Sequence, residues 1–400
     1  MLLFDMVFWY RFSSTDCRHF AFLRLATCLQ FPEDLSKLQM EMIMDNIPYL
    51  LACNRIPHLG PRSIAFCLKI WPNLADFFSA SSADLTEVGL PNTVIQAIHN
   101  FDFKTVDADL AWMTEPQHHI LVSGTPQYPA LLAEIADPPP ILYAKGDLNC
   151  LTQPTLGVVG TRNPSAIGSE TAWRFAHELA EAGLTIVSGL ALGIDAQAHR
   201  GCLNAGGRTI AVMGTGINNI YPSRHQALAA EIAETGLLLT EFPLHSPPLA
   251  HHFPQRNRIL SGLSSALLVV EAALRSGSLI TARYAMEQNR DVFAIPGSIY
   301  HTQSRGCHRL LQQGAGLVTT PQELLEEMHL YDQSGIKNIS IFPEICDNSN
   351  FLRYIDFALT TIDQIVEYSG LSVDDVLRNV IELELQGLIE VVPGGYMRCR

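Results

Sequence analysis

The densest chemistry in the chain lies in Phe253-Pro254-Gln255-Arg256-Asn257-Arg258, one aromatic ring and two guanidinium groups within six residues. A guanidinium forks two hydrogen bonds onto a phosphate, and a nearby ring stacks on an unpaired base. Phe253, Arg256, Asn257 and Arg258 are therefore candidate contacts for single-stranded nucleic acid. The competing reading makes Phe253 core and pairs the arginines with Glu241 or Glu271. A second set falls at the ends of predicted strands: Gly160-Thr161-Arg162, then Ser188-Gly189 with Gly193 and Asp195 beyond, then Gly214-Thr215-Gly216 followed by Tyr221-Pro222. Glycine there lets backbone N–H groups approach a ligand with no Cβ in the way. Helices opening just after such loops point their positive ends at the same place. Ordinary strand-to-helix turn chemistry is the alternative. Finally, Ser276-Gly277-Ser278 opens a helix whose free N–H groups suit another anion.

Other reactive residue types form no comparable set. Gly157-Val158-Val159-Gly160 lacks the full G-x-G-x-x-G fingerprint, and no G-x-x-x-x-G-K-[ST] occurs. His118-His119 and His251-His252 are adjacent pairs that cannot both point at one metal from a regular strand, so no metal is expected. Cys202 and Cys307 have no partnered His in a recognisable motif and read as buried. Ser188 before Gly189 is not a nucleophile elbow. Glu271 at a strand end suits a catalytic acid or base, or else orients arginines. No complete catalytic constellation emerges, and no cofactor is called for.

The formal net charge of −14 over 400 residues argues against a nucleic-acid partner, but it is unevenly spread. Residues 157–320 hold 12 basic and 10 acidic side chains, and all the cations are arginines. Residues 1–156 hold 9 and 16, and 321–400 hold 5 and 14. An anion therefore belongs in the middle. Nine cysteines, scattered without a C-x-x-C pair, suit a reduced cytoplasmic chain. No apolar run approaches the ~18 residues of a membrane span, so no membrane association is expected. The opening twelve residues make a poor signal peptide, since Asp5 interrupts them and no basic region precedes them.

The elements that must position these residues divide as follows. Residues 1–40 form an unassigned extension. Residues 41–110 read as helices broken at Asn54–Pro61 and Val88–Pro91, a SAM-like or helix-hairpin-helix domain, either touching DNA through its turns or simply packing. Residues 111–156 read as a linker with a lead-in strand, Ile141–Ala144. Residues 157–330 alternate strands and helices, with strands at Leu156–Gly160, Leu184–Val187, Thr209–Met213, Leu237–Thr240, Ala266–Val270 and Asp291–Ile295. That is the pattern of an α/β, Rossmann-like doubly wound sheet. After a linker at 331–350, residues 351–400 read as helix, turn, helix and hairpin, a winged helix. Its second helix carries Asp374, Asp375, Glu382 and Glu384 against Arg378 alone, which suits protein contacts better than a duplex.

The stretches GVVGTRNPSAIG (157–168), SGLALGIDAQAH (188–199), FPQRNRILSGLS (253–264), VVEAALRSGSLITA (269–282) and IPGSIYHTQSRGCHRLLQQGA (295–315) resemble the DNA-processing protein A (DprA/Smf) family. Tyr128-Pro129, Asp137-Pro138-Pro139, Lys145-Gly146-Asp147 and IELELQGLIEVVPGGYMR (381–398) extend the resemblance from roughly Ile47 to the C-terminus. It implies SAM-like, extended Rossmann and winged-helix domains in a non-enzymatic recombination mediator. Such a protein binds and protects single-stranded DNA during natural transformation and loads RecA. It acts as a homodimer, with single-stranded DNA-binding protein as a further partner. The resemblance also points to Arg162, Phe253, Arg256 and Arg258 as DNA contacts. Some members carry a lysine shortly before that Phe. Here Ala250, His251 and His252 stand there, so affinity is expected to be lower, or to rise below pH about 6.5 as histidines charge. Two other classes stay open. One is a nucleotide-hydrolysing Rossmann enzyme with Glu271 and the Gly214/Gly216 turn in its site. The other is a transcription regulator working through residues 351–400.

Overall fold

The computed structural model describes residues 45–328 and 351–399, apart from positions 358, 386 and 393. The expected extension 1–40 and linker 331–350 lie outside the described residues.

Nine strands form one sheet: β1 (His118–Val122), β2 (Ile141–Gly146), β3 (Thr155–Val159), β4 (Thr185–Ser188), β5 (Thr209–Val212), β6 (Leu237–Thr240), β7 (Ala266–Val269), β8 (Asp291–Ala294) and β9 (Gly316–Leu317). They run in the order β1-β2-β6-β5-β4-β3-β7-β8-β9. From β6 to β9 every neighbouring pair is parallel. Four helices matter for the site: α1 (Ala166–Glu181), α2 (Ile194–Asn204), α3 (His252–Leu263) and α4 (Gly277–Glu287). Strand period 2 sends alternate side chains to opposite faces. Leu156 and Val158 of β3 pack with Phe175 and Leu179 of α1, whereas Val159 packs with Ile259 and Leu260 of α3. Helices therefore cover both faces, which makes the sheet doubly wound.

The segment 111–156, expected as a linker with one lead-in strand at Ile141–Ala144, supplies β2 there and β1 besides. These pair antiparallel at one end of the sheet, Tyr143 opposite Thr240. Nor do the amino-terminal helices form a free-standing core. Leu51, Ile64, Phe77 and Trp112 share one buried cluster with Ile141, Tyr143 and Leu238 of the sheet and Met213 just beyond β5. Within that cluster Arg55 donates to Asp109 Oδ2 at 2.5 Å and Tyr143 Oη donates to Asp109 Oδ1 at 2.7 Å.

Residues 351–399 build their own core from Ile365, Val376, Val380, Leu383 and Ile389. Helix α5 (Ile362–Ser369) opens with a capping box between Thr361 and Gln364 and ends on Gly370 in the left-handed region. Helix α6 (Val373–Leu385) follows, then the antiparallel pair β10 (Ile389–Val392) and β11 (Gly395–Arg398). This is the expected winged helix.

Candidate functional site

Chain order reverses between β3 and β7, and at such a point the loops after the strands diverge and leave a crevice. A cleft of about 510 Å³ opens there, lined by Gly160, Arg162, Asp195, Phe253, Arg256, Asn257 and Ser276–Ser278. Pro254 fits the first turn of α3, where its missing N–H costs nothing. Phe253 beside it lies over Gly214, whose ideal Cβ position is 2.8 Å from the ring. The exposed Arg162 guanidinium sits 5.7 Å from the Phe253 centroid, and the Tyr221 ring lies 5.7 Å away at 50°. Tyr221 is 46% exposed. A cation and two rings thus stand in succession, Arg162 and Phe253 lining the cleft and Tyr221 beside Phe253.

The floor is electrostatically dense. Arg256 is buried and donates to the carbonyls of Gly189, at 2.7 Å, and Val212. Its Nε donates to Asn257 Oδ1 at 3.2 Å. Burial pulls the Arg256 pKa down to about 10 against the opposing pull of Asp195, and Arg162 lowers it further, so it stays charged at neutral pH. Asp195 accepts from the Gly189 and Ala191 N–H groups at 3.2 and 3.4 Å. Burial raises its pKa, with Arg256 opposing. The ideal Cβ of Gly189 would stand 2.5 Å from Arg256 Nη2, so this loop needs glycine to let the guanidinium reach the backbone. On the opposite wall Ser276 caps α4, accepting from the Ser278 N–H at 3.3 Å with the two hydroxyls 2.6 Å apart. Gly277 between them is exposed, leaving open backbone at a positive helix end.

Several expected contacts lie elsewhere. Arg258 is buried away from the cleft, paired with the Glu241 carboxylate and donating to Asp137 O at 2.8 Å. Thr161 and Ser188 are buried, Ser188 Oγ donating to Val158 O at 2.7 Å. Gly216 donates its N–H to Ser246 O at 3.0 Å and has no room for a Cβ beside Pro243 O. Gly189 and Gly214 act from behind, seating Arg256 and Phe253. Glu271 pairs with no arginine among the described residues; it accepts from the Ser165 N–H and Oγ–H at 3.0 and 2.5 Å at the start of α1. It lines a neighbouring cavity rather than the one containing Phe253, so it shares no site with the Gly214/Gly216 turn. His252 is buried with its ring stacked 3.8 Å from that of Phe242. Burial lowers its pKa, with His251 adding to the shift, so His252 is held from gaining charge toward DNA. Cys202 and Cys307 are buried, which pushes their thiols up to about 12 and about 11.

Tyr221 and Asp195 are the contributors that sequence reasoning noted at strand ends without assigning to the site. Tyr221 sits nine residues beyond β5, too far for strand-end logic to place its ring against Phe253.

Residues 119–329 match the family model described as DNA recombination-mediator protein A, and residues 349–395 match the DprA winged helix domain. Protein Smf of Escherichia coli (strain K12) is 42% identical over 330 residues, covering 79% of this chain and 87% of the relative. DNA processing protein DprA of Streptococcus pneumoniae is 49% identical over 200 residues, covering 50% of this chain and 71% of the relative. The X-ray structure of DNA processing protein A from Streptococcus pneumoniae superposes with a TM-score of 0.61 at 38% identity, covering 70% of this chain and 96% of that one.

Proposed function

Since the chain belongs to the DNA recombination-mediator protein A family, we propose that it holds single-stranded DNA in the cleft at the β3–β7 junction. The observation that carries this reading is the succession of Arg162, Phe253 and Tyr221 above the capped start of α4. Phosphates meet Arg162 and the amides around Gly277, and unpaired bases stack on the two rings. Nothing in that set reads base edges, which suits a mediator indifferent to sequence. Asp195 limits the site, because it already occupies the amides of the 189–191 loop and balances Arg256. The phosphate-binding capacity therefore rests on Arg162 and α4.

The same proposal extends to transfer of the strand to RecA in the cytoplasm by a homodimer, with single-stranded DNA-binding protein as a further partner. The winged helix serves protein contacts. Among the described residues no helix is long and apolar enough to cross a membrane.

A salt series of binding to fluorescent oligothymidine tests the site. Wild type is expected to bind with a log–log slope near −0.7 per phosphate neutralised. Arg162→Ala should flatten the slope and Tyr221→Ala should weaken binding at every salt concentration. Unchanged binding in both variants would move the DNA elsewhere on the molecule.

A further inference from the structure

A second cavity, about 390 Å³, adjoins the cleft on the other side of the same junction, with Glu271 at its floor. Two loops serve both spaces. Gly160 and Arg162 line the cleft while Ser165 lines the cavity; Ser276–Ser278 line the cleft while Glu271 lines the cavity. The Thr161 N–H donates to Glu271 O at 2.7 Å and ties the loops together between the two. A strand lying along the strand ends passes from one space to the other.

The cavity has the opposite polarity to the cleft. The Glu271 side chain is only 11% exposed. Oε1 accepts from Ser165 Oγ and Oε2 from the Ser165 N–H. A carboxylate offers about four lone-pair sites, so each oxygen retains one. His301 Nδ1 stands 4.0 Å from Oε1, beyond hydrogen-bond length. Ile167 and Pro296 form apolar walls, and Tyr300, 87% exposed, supplies a ring at the mouth. A ligand for this space is flat and presents two adjacent N–H donors. Guanine does so through N1–H and its N2 amino group. Thymine has a single ring N–H, and the amino groups of adenine and cytosine stand beside a ring nitrogen that accepts and would repel the second carboxylate oxygen.

We propose that this cavity takes one unpaired guanine of the strand held in the cleft, Glu271 accepting from its Watson–Crick edge and Tyr300 stacking on its face. The inference rests on the single-stranded DNA reading. It gives an otherwise sequence-neutral binder a local preference. A protein's basic side chain presents similar donors, but the loops shared with the cleft favour the base.

Binding is compared at fixed salt for three oligomers of about twenty nucleotides, longer than a single site of this kind: all thymine, one central guanine, and one central hypoxanthine, which lacks the N2 amino group. The guanine oligomer should bind about fivefold tighter than all-thymine, in line with a bidentate base contact, and hypoxanthine should lose most of that gain. Glu271→Gln should erase the guanine advantage while all-thymine binding persists. Because Glu271 also holds the start of α1, Tyr300→Ala, on an exposed ring, is the second variant and should shrink the same advantage. All-thymine binding with no guanine advantage overturns this inference alone and leaves the cavity to a protein's basic side chain. An advantage that survives both variants also overturns it. Absence of binding to any oligomer overturns both this inference and the DNA reading.

Discussion

Arg256 and Arg258 look equivalent in the sequence and act differently in the fold. Both belong to α3, and residues two apart on a helix do not share a face. Arg256 reaches the cleft floor and Arg258 the Glu241 carboxylate. Placing the segment on a helix, which its Pro254 permits, would have separated them; reading it as a linear motif merged them. Removing one partner of a buried pair strands the other charge, at a cost of about 3–5 kcal/mol. Arg258→Ala should therefore lower the urea midpoint steeply, while exposed Arg162→Ala stays within about 0.5 kcal/mol of wild type and loses DNA affinity instead. Equal stability of the two variants would contradict this division. Burial at His199 makes a second residue-level effect. Its Nδ1 lies 2.7 Å from Thr209 Oγ1, while Nε2 has no hydrogen-bond partner among the described residues. Burial, with His225 and Arg256 adding, pulls its pKa from 6.5 down to about 3. Below pH 6.5 the unfolded chain takes up a proton that the folded chain refuses. The neutral imidazole thus costs nothing above pH 6.5, and stability falls as pH drops from there toward 3, at about 1.4 kcal/mol per unit. Urea midpoints at pH 7.5 and pH 5 should differ by the equivalent of ~2 kcal/mol from this group, and His199→Asn should narrow the gap. An unchanged gap would place the acid sensitivity elsewhere.

Among the elements, the parallel strands β3 to β8 were legible because each is a short apolar run closed by turn residues, and β6 runs over Leu237–Thr240 as expected, whereas the two-residue β9 was not. The helix start at Ser276 follows the same local logic of a capping hydroxyl, whereas the cap at Ser165 opens α1 four residues before the expected start at Ser169. What escaped is long-range pairing: β2 joins β6 across about ninety intervening residues, and nothing local in Ile141–Gly146 announces that partner. The glycine loops were legible as points of close approach, but what approaches is often this chain's own side chain rather than a ligand. Gly214 is the case that affects DNA. An alanine methyl there would meet the Phe253 ring at 2.8 Å, and the half-buried ring is the part free to move. Gly214→Ala should swing the ring off the rim and cost about 1–3 kcal/mol of stacking, like truncating the ring itself. Oligothymidine titration of Gly214→Ala beside Phe253→Ala checks this; full affinity in the glycine variant would mean the ring takes no part.

For the whole molecule, the question is whether the amino-terminal helices are a separable domain, as the expected boundary at residue 110 implies, or part of one folding unit. Their apolar faces enter the same cluster as β2, β5 and β6, and the Arg55–Asp109–Tyr143 set straddles the boundary with Asp109 fully buried. Asn54 adds a bond from its side chain to Glu241 O at 2.8 Å, one residue beyond β6 and on the residue that holds Arg258. Across the boundary the Trp112 ring lies edge-on 5.8 Å from that of Tyr143, so separating the two parts would bare both rings to water. Burial on that scale is worth ~1.5–3 kcal/mol for each large side chain, which couples the two parts. Asp109→Ala leaves the Arg55 charge without its carboxylate and should cost about 3 kcal/mol. Hydrogen exchange followed along a urea series should then show peptides from 61–99 and from β4–β6 losing protection together, at a midpoint lowered equally for both. Early exchange of 61–99 with the strands still protected would make the helices an independent domain docked on the sheet.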